Sequence, residues 1–198
     1  MHKIELKSEV FFTLEEHCLQ TLKNKNTMPV DKLMEQMMDY PEIPMHYPYH
    51  HFIMPAALLT LAAIEEGLSE EELSVLLECA LARSQNVLGG FCGNYGACGA
   101  AIGTGIFLSV YTDTSPMSET SWQWANEVTG LSLQNIASVP GPRCCKRTAF
   151  LSLQKAVPYI NEKLHLHLTL SEQITCKYFT KNDTCKKEEC PFFYEGNK

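Results

Sequence analysis

The chain has 198 residues, 45% of them hydrophobic and 20% charged, which suits one ordinary globular core or a core with a small appendage and excludes disorder, a collagen-like repeat and a coiled-coil rod. Sixteen Lys and Arg against 23 Asp and Glu leave a net charge of -7, and this argues against a nucleic-acid partner, whose phosphates need a clustered positive field. Nine cysteines are the unusual count.

The first residues, MHKIELKSEVFF, lack the basic segment, apolar run and small-residue cleavage site of a signal peptide, so a cytoplasmic location is expected. In a reducing compartment an odd number of cysteines reads as thiols and metal ligands rather than as a disulfide framework. From Ser8 to about Lys25, Val10, Phe11, Leu14, Cys18, Leu19 and Leu22 recur at helical steps. A shorter helix follows Pro29 and runs until Tyr40-Pro41 breaks it. Residues 41–51, PEIPMHYPYHH, hold three prolines and His46, His50 and His51, and read as a stiff connector whose imidazoles could serve a site.

Helical spacing resumes over Pro55 to Glu66, and Ser69 with Glu72 forms a capping-box pattern for a helix reaching about Asn86. The stretch GGFCGNYGACGAAIGTG then packs seven glycines into residues 89–105, so something must approach this backbone closely. The apolar run from Ala97 to Tyr111 is too short to cross a bilayer and reads as a buried helix with one face of small residues. A helix over Ser118 to Ala137 and another from Pro142 to about Leu164 complete the helical set. Leu164, Leu166, Leu168 and Leu170 alternate with polar residues and read as one short strand, pairing with the tail or with a second subunit. The fold class expected is mainly α: a compact multi-helix bundle over residues 1–170 with a buried glycine-rich helix, a short strand, and a Cys-rich tail over 171–198 packed on it.

Three cysteine groups carry the chemistry. The tail reads C-x8-C-x4-C-P at Cys176, Cys185 and Cys190, and a segment so poor in aliphatic residues has little reason to be ordered without a metal. The closing Cys-Pro favours an iron-sulfur cluster, 4Fe-4S first, with a tetrahedral zinc as the alternative. GPRCCKR places Cys144 and Cys145 at a helix start among Arg143, Lys146 and Arg147, where the dipole and three cations should lower the thiol pKa. Cys145 is taken as the fourth metal ligand, with Cys144 the competing candidate and otherwise a reactive thiol. In the glycine-rich segment Cys92 and Cys98 are accessible thiols for sulfur transfer or disulfide exchange. Gly90, Gly93 and Gly99, with Arg143, His50 and His51, are expected to contact the bound group. Cys18 and Cys79 lie on apolar helix faces and are assigned to the core.

Taken together, PMHYPYHHFIMPA, GGFCGNYGACGAAIGTGIF, GPRCCKRTAF and the CPF ending resemble a Cys-rich domain family of unknown function found in anaerobic bacteria and archaea, over residues 44–193. The segment GG-x-C-G-x-x-G-A-C-G-A-A-x-G also resembles the signature of a redox-active family named for its C, GCAxxG, C, C motif. That likeness implies an all-helical fold and redox or metal chemistry, while the extra Cys92, the tandem Cys144-Cys145 and the added tail depart from it. The functional expectation is an iron-sulfur protein for redox or sulfur-transfer chemistry. A metal-free thiol-disulfide oxidoreductase and a zinc-stabilised interaction module are the alternatives. Partners would be a redox or sulfur-donor protein or a small molecule, with a homodimer allowed and neither nucleic acid nor membrane expected.

Overall fold

A computed structural model describes residues 5–194, and it is helical wherever the apolar spacing is helical. The elements are α1 (Ser8–Lys23), α2 (Val30–Met38), α3 (Tyr49–Glu66), α4 (Glu70–Gln85), the single turn α5 (Phe91–Asn94), α6 (Gly99–Tyr111), α7 (Thr120–Ala137) and α8 (Cys145–Leu164), followed by two short 3-10 turns in the tail. The Ser69 capping box forms as written in the sequence: the Glu72 N–H donates to Ser69 Oγ at 3.2 Å and the Ser69 N–H to Glu72 Oε2 at 2.8 Å.

The two helices that are apolar all round, α3 and α6, occupy the middle, as a helix without a polar face must. Around them, α3 packs against α1, α2, α4 and α6, and α6 against α4, α7 and α8. Glycine makes the closest of these contacts possible. A Cβ on Gly103 would lie 2.8 Å from Met54 Cβ of α3, and one on Gly105 would lie 2.1 Å from Thr129 Oγ1 of α7. Thus part of what approaches the glycine-rich backbone is the chain's own helices. Among the described residues no helix is long and apolar enough to cross a membrane.

Two expectations change. Helix α3 begins at Tyr49 rather than Pro55, so His50 and His51 lie in its first turn and not in a connector. Pro55 removes one N–H inside the helix, and the carbonyl of His51 left without that partner accepts instead from Ser84 Oγ at 3.3 Å. The alternating segment after α8 has no regular secondary structure, with Leu166 and Leu168 buried, and no strand forms among the described residues. Its backbone groups find other partners: the His167 N–H donates to the Glu65 carboxylate, Leu168 exchanges two hydrogen bonds with the Asn161 side chain, and Thr169 O accepts from the Val30 N–H. Without a neighbouring strand, these backbone groups are satisfied by two side chains and one main-chain N–H.

Residues 171–194 carry a small core of their own. Ile174 and Phe192 bury against Phe150 and Leu151 of α8, with the Phe192 and Phe150 rings 5.3 Å apart, edge to face. The Cys176 N–H donates to Phe192 O at 2.7 Å and closes the tail into a loop.

Candidate functional site

The start of α8 divides its two cysteines. Cys144 is the N-cap, with extended backbone (φ -141, ψ 114), and Cys145 is the first helical residue. Cys144 joins Cys176, Cys185 and Cys190 in the wall of one cavity of about 20 Å³. Cys145 does not line that cavity, and negative charge on Cys98 or on Cys144 would oppose its ionisation. Burial pushes the Cys145 thiol up to about 11, with Arg143 acting the other way, so the expected lowering at this helix start is reversed for this residue. Desolvation outweighs the cations because the side chain is enclosed.

Each of the four thiols around the cavity receives a hydrogen-bond donor. The backbone N–H of Lys187 points at Cys185 Sγ at 3.4 Å. The N–H groups of Tyr178 and Phe192 stand in the same relation, two residues on, to Cys176 and Cys190. Cys144 Sγ accepts from Asn182 Nδ2 at 3.7 Å. Asn182 is itself held by His46, whose Nε2–H donates to its Oδ1 at 3.1 Å while Nδ1 accepts from the Cys145 N–H at 3.4 Å. N–H groups aimed at sulfur favour the thiolate. As free thiols, Cys176 (pushed up to about 11) and Cys190 (also raised) are nevertheless dominated by burial. Nothing in the sequence marks Asn182, since a lone asparagine in a loop carries no spacing signal.

Two buried cations flank this cavity. Lys146 is 1% exposed and Arg147 5%, and neither has an ion-pair partner within 4 Å among the described residues. The Lys146 ammonium donates to His50 Nε2 at 2.6 Å and lies 5.1 Å from the centre of the Tyr178 ring. Arg147 Nη2 donates to Pro142 O at 2.6 Å, but its buried Nε–H has no partner among the described residues. Buried cations of this kind are rare without compensating charge.

The histidines expected to touch a bound group are engaged with the protein. His50 Nδ1 donates to Tyr47 O at 2.8 Å, which leaves Nε2 as acceptor for Lys146; burial, and then the Lys146 charge, hold its pKa well below the ordinary value. His51 Nδ1 bonds Val87 O at 2.8 Å, and its ring fills the place where a Cβ on Gly99 would stand. Gly99 is thus matched to an imidazole of its own chain.

On the other side of Arg147 opens a cleft of about 640 Å³. It is lined by Gly90, Cys92, Gly93 and Cys98 of the glycine-rich segment, and by Arg143, Arg147 and Thr148. Cys98 is the N-cap of α6; the Ala100 and Ala101 N–H groups and the Thr148 hydroxyl approach its sulfur, but burial still pushes its pKa up. Cys92 is half-buried. Of the remaining cysteines, Cys18 is fully buried in the core with its thiol pushed up to about 12, and Cys79 packs against that core.

The structure therefore brings Cys144 together with the three tail cysteines around one cavity, and Cys92 with Cys98 around another, while Cys145 lines neither. Among the described residues no group of three or more His, Cys, Asp or Glu side chains could hold a metal ion as placed.

The chain belongs to a family of unknown function, DUF5714, whose model matches residues 14–193. This agrees with the sequence resemblance to a domain family of unknown function and brings no reaction with it. No curated protein and no solved structure matches the chain.

Proposed function

We propose that this is a metal-thiolate protein in which Cys144, Cys176, Cys185 and Cys190 bind a single tetrahedral ion, with zinc the best match, and that the ion locks the tail onto the start of α8. The observation that carries the reading is that these four thiols line one cavity and each has its own N–H donor. Such donors orient a ligand and favour its anionic form. Four thiolates around a divalent ion leave two net negative charges. Buried Lys146 and Arg147 would offset that charge, and the unpartnered Arg147 Nε–H would gain sulfur as an acceptor. The cavity of about 20 Å³ has room for one water-sized body, which favours an ion over a larger cluster.

Zinc in such a site supplies a cross-link whose binding energy adds to folding. A tail of this length, with Ile174 and Phe192 as its buried apolar anchors, gains most from it. The Cys190-Pro191 sequence is what favours an iron-sulfur cluster on the same ligands.

The test is elemental analysis of the full chain purified without oxygen and reconstituted separately with zinc and with iron and sulfide. One zinc per chain is expected, lost in C144S, C176S, C185S and C190S and kept in C145S and C92S. Iron with acid-labile sulfide on the same four residues would replace zinc by a cluster. Loss in C145S with retention in C144S, or no stoichiometric metal under either condition, would overturn the proposal.

A further inference from the structure

We infer that the cleft beside the four-thiol cavity is a thiol-disulfide exchange site for small anionic disulfides, worked by Cys92 and Cys98. The inference rests on the cleft and not on the metal. Both thiols line one opening of about 640 Å³, a size suited to a small molecule. The loop between them closes on itself: the N–H groups of Tyr95 and Ala97 both donate to Phe91 O, at 2.9 and 3.4 Å, with Gly96 in the left-handed region at φ +67. Cys92 directly follows Phe91 and Cys98 directly follows Ala97, the two residues that this closure brings together, and both thiols line the cleft.

The two thiols differ in a way that assigns their order. Cys92 is half-buried and reachable from the cleft, whereas Cys98 is 9% exposed and placed behind it at the start of α6. Cys92 is the thiol that meets the substrate; Cys98 resolves the intermediate. The Ala100 and Ala101 N–H groups and the Thr148 hydroxyl around Cys98 Sγ favour its thiolate form when it attacks. Charge selects the substrate class. The charged side chains lining the cleft are Arg143 and Arg147, with no carboxylate among the described lining residues.

The chemistry balances without a further reagent. The Cys92 thiolate attacks one sulfur of the small disulfide RSSR, forming a Cys92–SR bond and expelling RS⁻, which takes up the proton Cys92 lost. The Cys98 sulfur then attacks the Cys92 sulfur, forming the Cys92–Cys98 bond and expelling the second RS⁻, which takes the proton of Cys98. The protein pair is oxidised by two electrons and RSSR is reduced to two RSH.

The experiment uses the full chain as purified, with whatever metal it carries, incubated with oxidised glutathione or with cystamine, then alkylated and mapped by peptide mass spectrometry. With glutathione, a Cys92–Cys98 disulfide is expected; in C98S the reaction stops at glutathione on Cys92, and in C92S neither product forms. Arg143→Glu should slow the reaction with glutathione roughly tenfold relative to that with cystamine, because it reverses the charge at the cleft mouth. Pairing of Cys98 with Cys145 instead of Cys92 would overturn the assignment, as would an unmodified Cys92 in C98S. Equal rates with glutathione and cystamine in the unmutated protein would overturn the anionic substrate class. Metal content plays no part in these readouts, so loss of the metal proposal would leave this one standing.

Discussion

Replacing Gly99 by alanine would drive a methyl group into the His51 ring. The added Cβ would stand 2.1 Å from Cδ2 and 2.3 Å from Nε2, where carbon contact requires about 3.5 Å. His51 is not free to swing away, because its Nδ1 is bonded to Val87 O at 2.8 Å while its half-buried ring lies against Gly99 of α6. Overpacking of this kind costs about 1–3 kcal/mol. Breaking the Val87 hydrogen bond adds about 1 kcal/mol. Removing glycine's freedom from the unfolded chain returns about 0.5–1 kcal/mol. The net is a loss of about 2 kcal/mol, or a fall in Tm of roughly 4–8 °C for a chain of this size. Urea and thermal unfolding followed by circular dichroism measure it, and a cycle with His51→Ala should return a coupling of at least about 1 kcal/mol. Gly130 provides the contrast: it is exposed on α7 with nothing within 4 Å of an added Cβ, so Gly130→Ala should stabilise by about 0.5–1 kcal/mol. A Gly99→Ala protein as stable as the parent, or one uncoupled from His51, would refute the reasoning.

Two further outcomes follow from burial. Phe192→Ala removes a ring that is 2% exposed and packed on Phe150, and should weaken docking of the tail by about 3 kcal/mol. Hydrogen exchange should then accelerate across residues 174–192 while the α3 and α6 amides stay protected; unchanged exchange in the tail would contradict the packing account. Burial, assisted by Glu78, raises the Glu15 carboxyl pKa above its ordinary value, and Glu15 Oε1 has no partner among the described residues. A carboxyl with a raised folded pKa binds its proton more tightly in the fold, so its stabilising effect is present below the unfolded value and is lost as pH rises through the folded one. Glu15→Gln should accordingly raise stability at pH 7 by less than about 1 kcal/mol, the group being partly exposed, and change little below about pH 4. A variant less stable at pH 7, measured by urea unfolding across pH, would reverse that sign.

The helices were readable where periodicity and capping agreed, as at Ser69–Glu72 and along Val10, Leu14, Cys18 and Leu22. Pro55 misled because a proline read as a helix start stands inside α3, with Ser84 covering the carbonyl it strands. The alternation from Leu164 to Leu170 reads as a strand, yet no strand forms there among the described residues, and of its four leucines Leu166 and Leu168 are the buried ones. It could not reveal that Glu65, Asn161 and Val30, rather than another strand, meet its backbone. At the candidate site the cysteines stood out by number and by their glycine, proline and basic neighbours. Which sulfurs share a cavity was hidden, because Cys144, the extended N-cap of α8, lines the cavity with the tail cysteines while Cys145, one residue on and inside the helix, does not.

From composition and local order alone come the mainly helical class, the reading of Ala97–Tyr111 as a buried helix rather than a membrane span, and the three groups of cysteines. Only folding decided that Asn182 and His46, 136 positions apart, tie the tail to α8, and that Lys146 and Arg147 are buried with no carboxylate within 4 Å among the described residues. The division has a physical cause. Helix formation answers to neighbours within a turn or two along the chain, whereas the environment of a thiol depends on which distant groups exclude water from it.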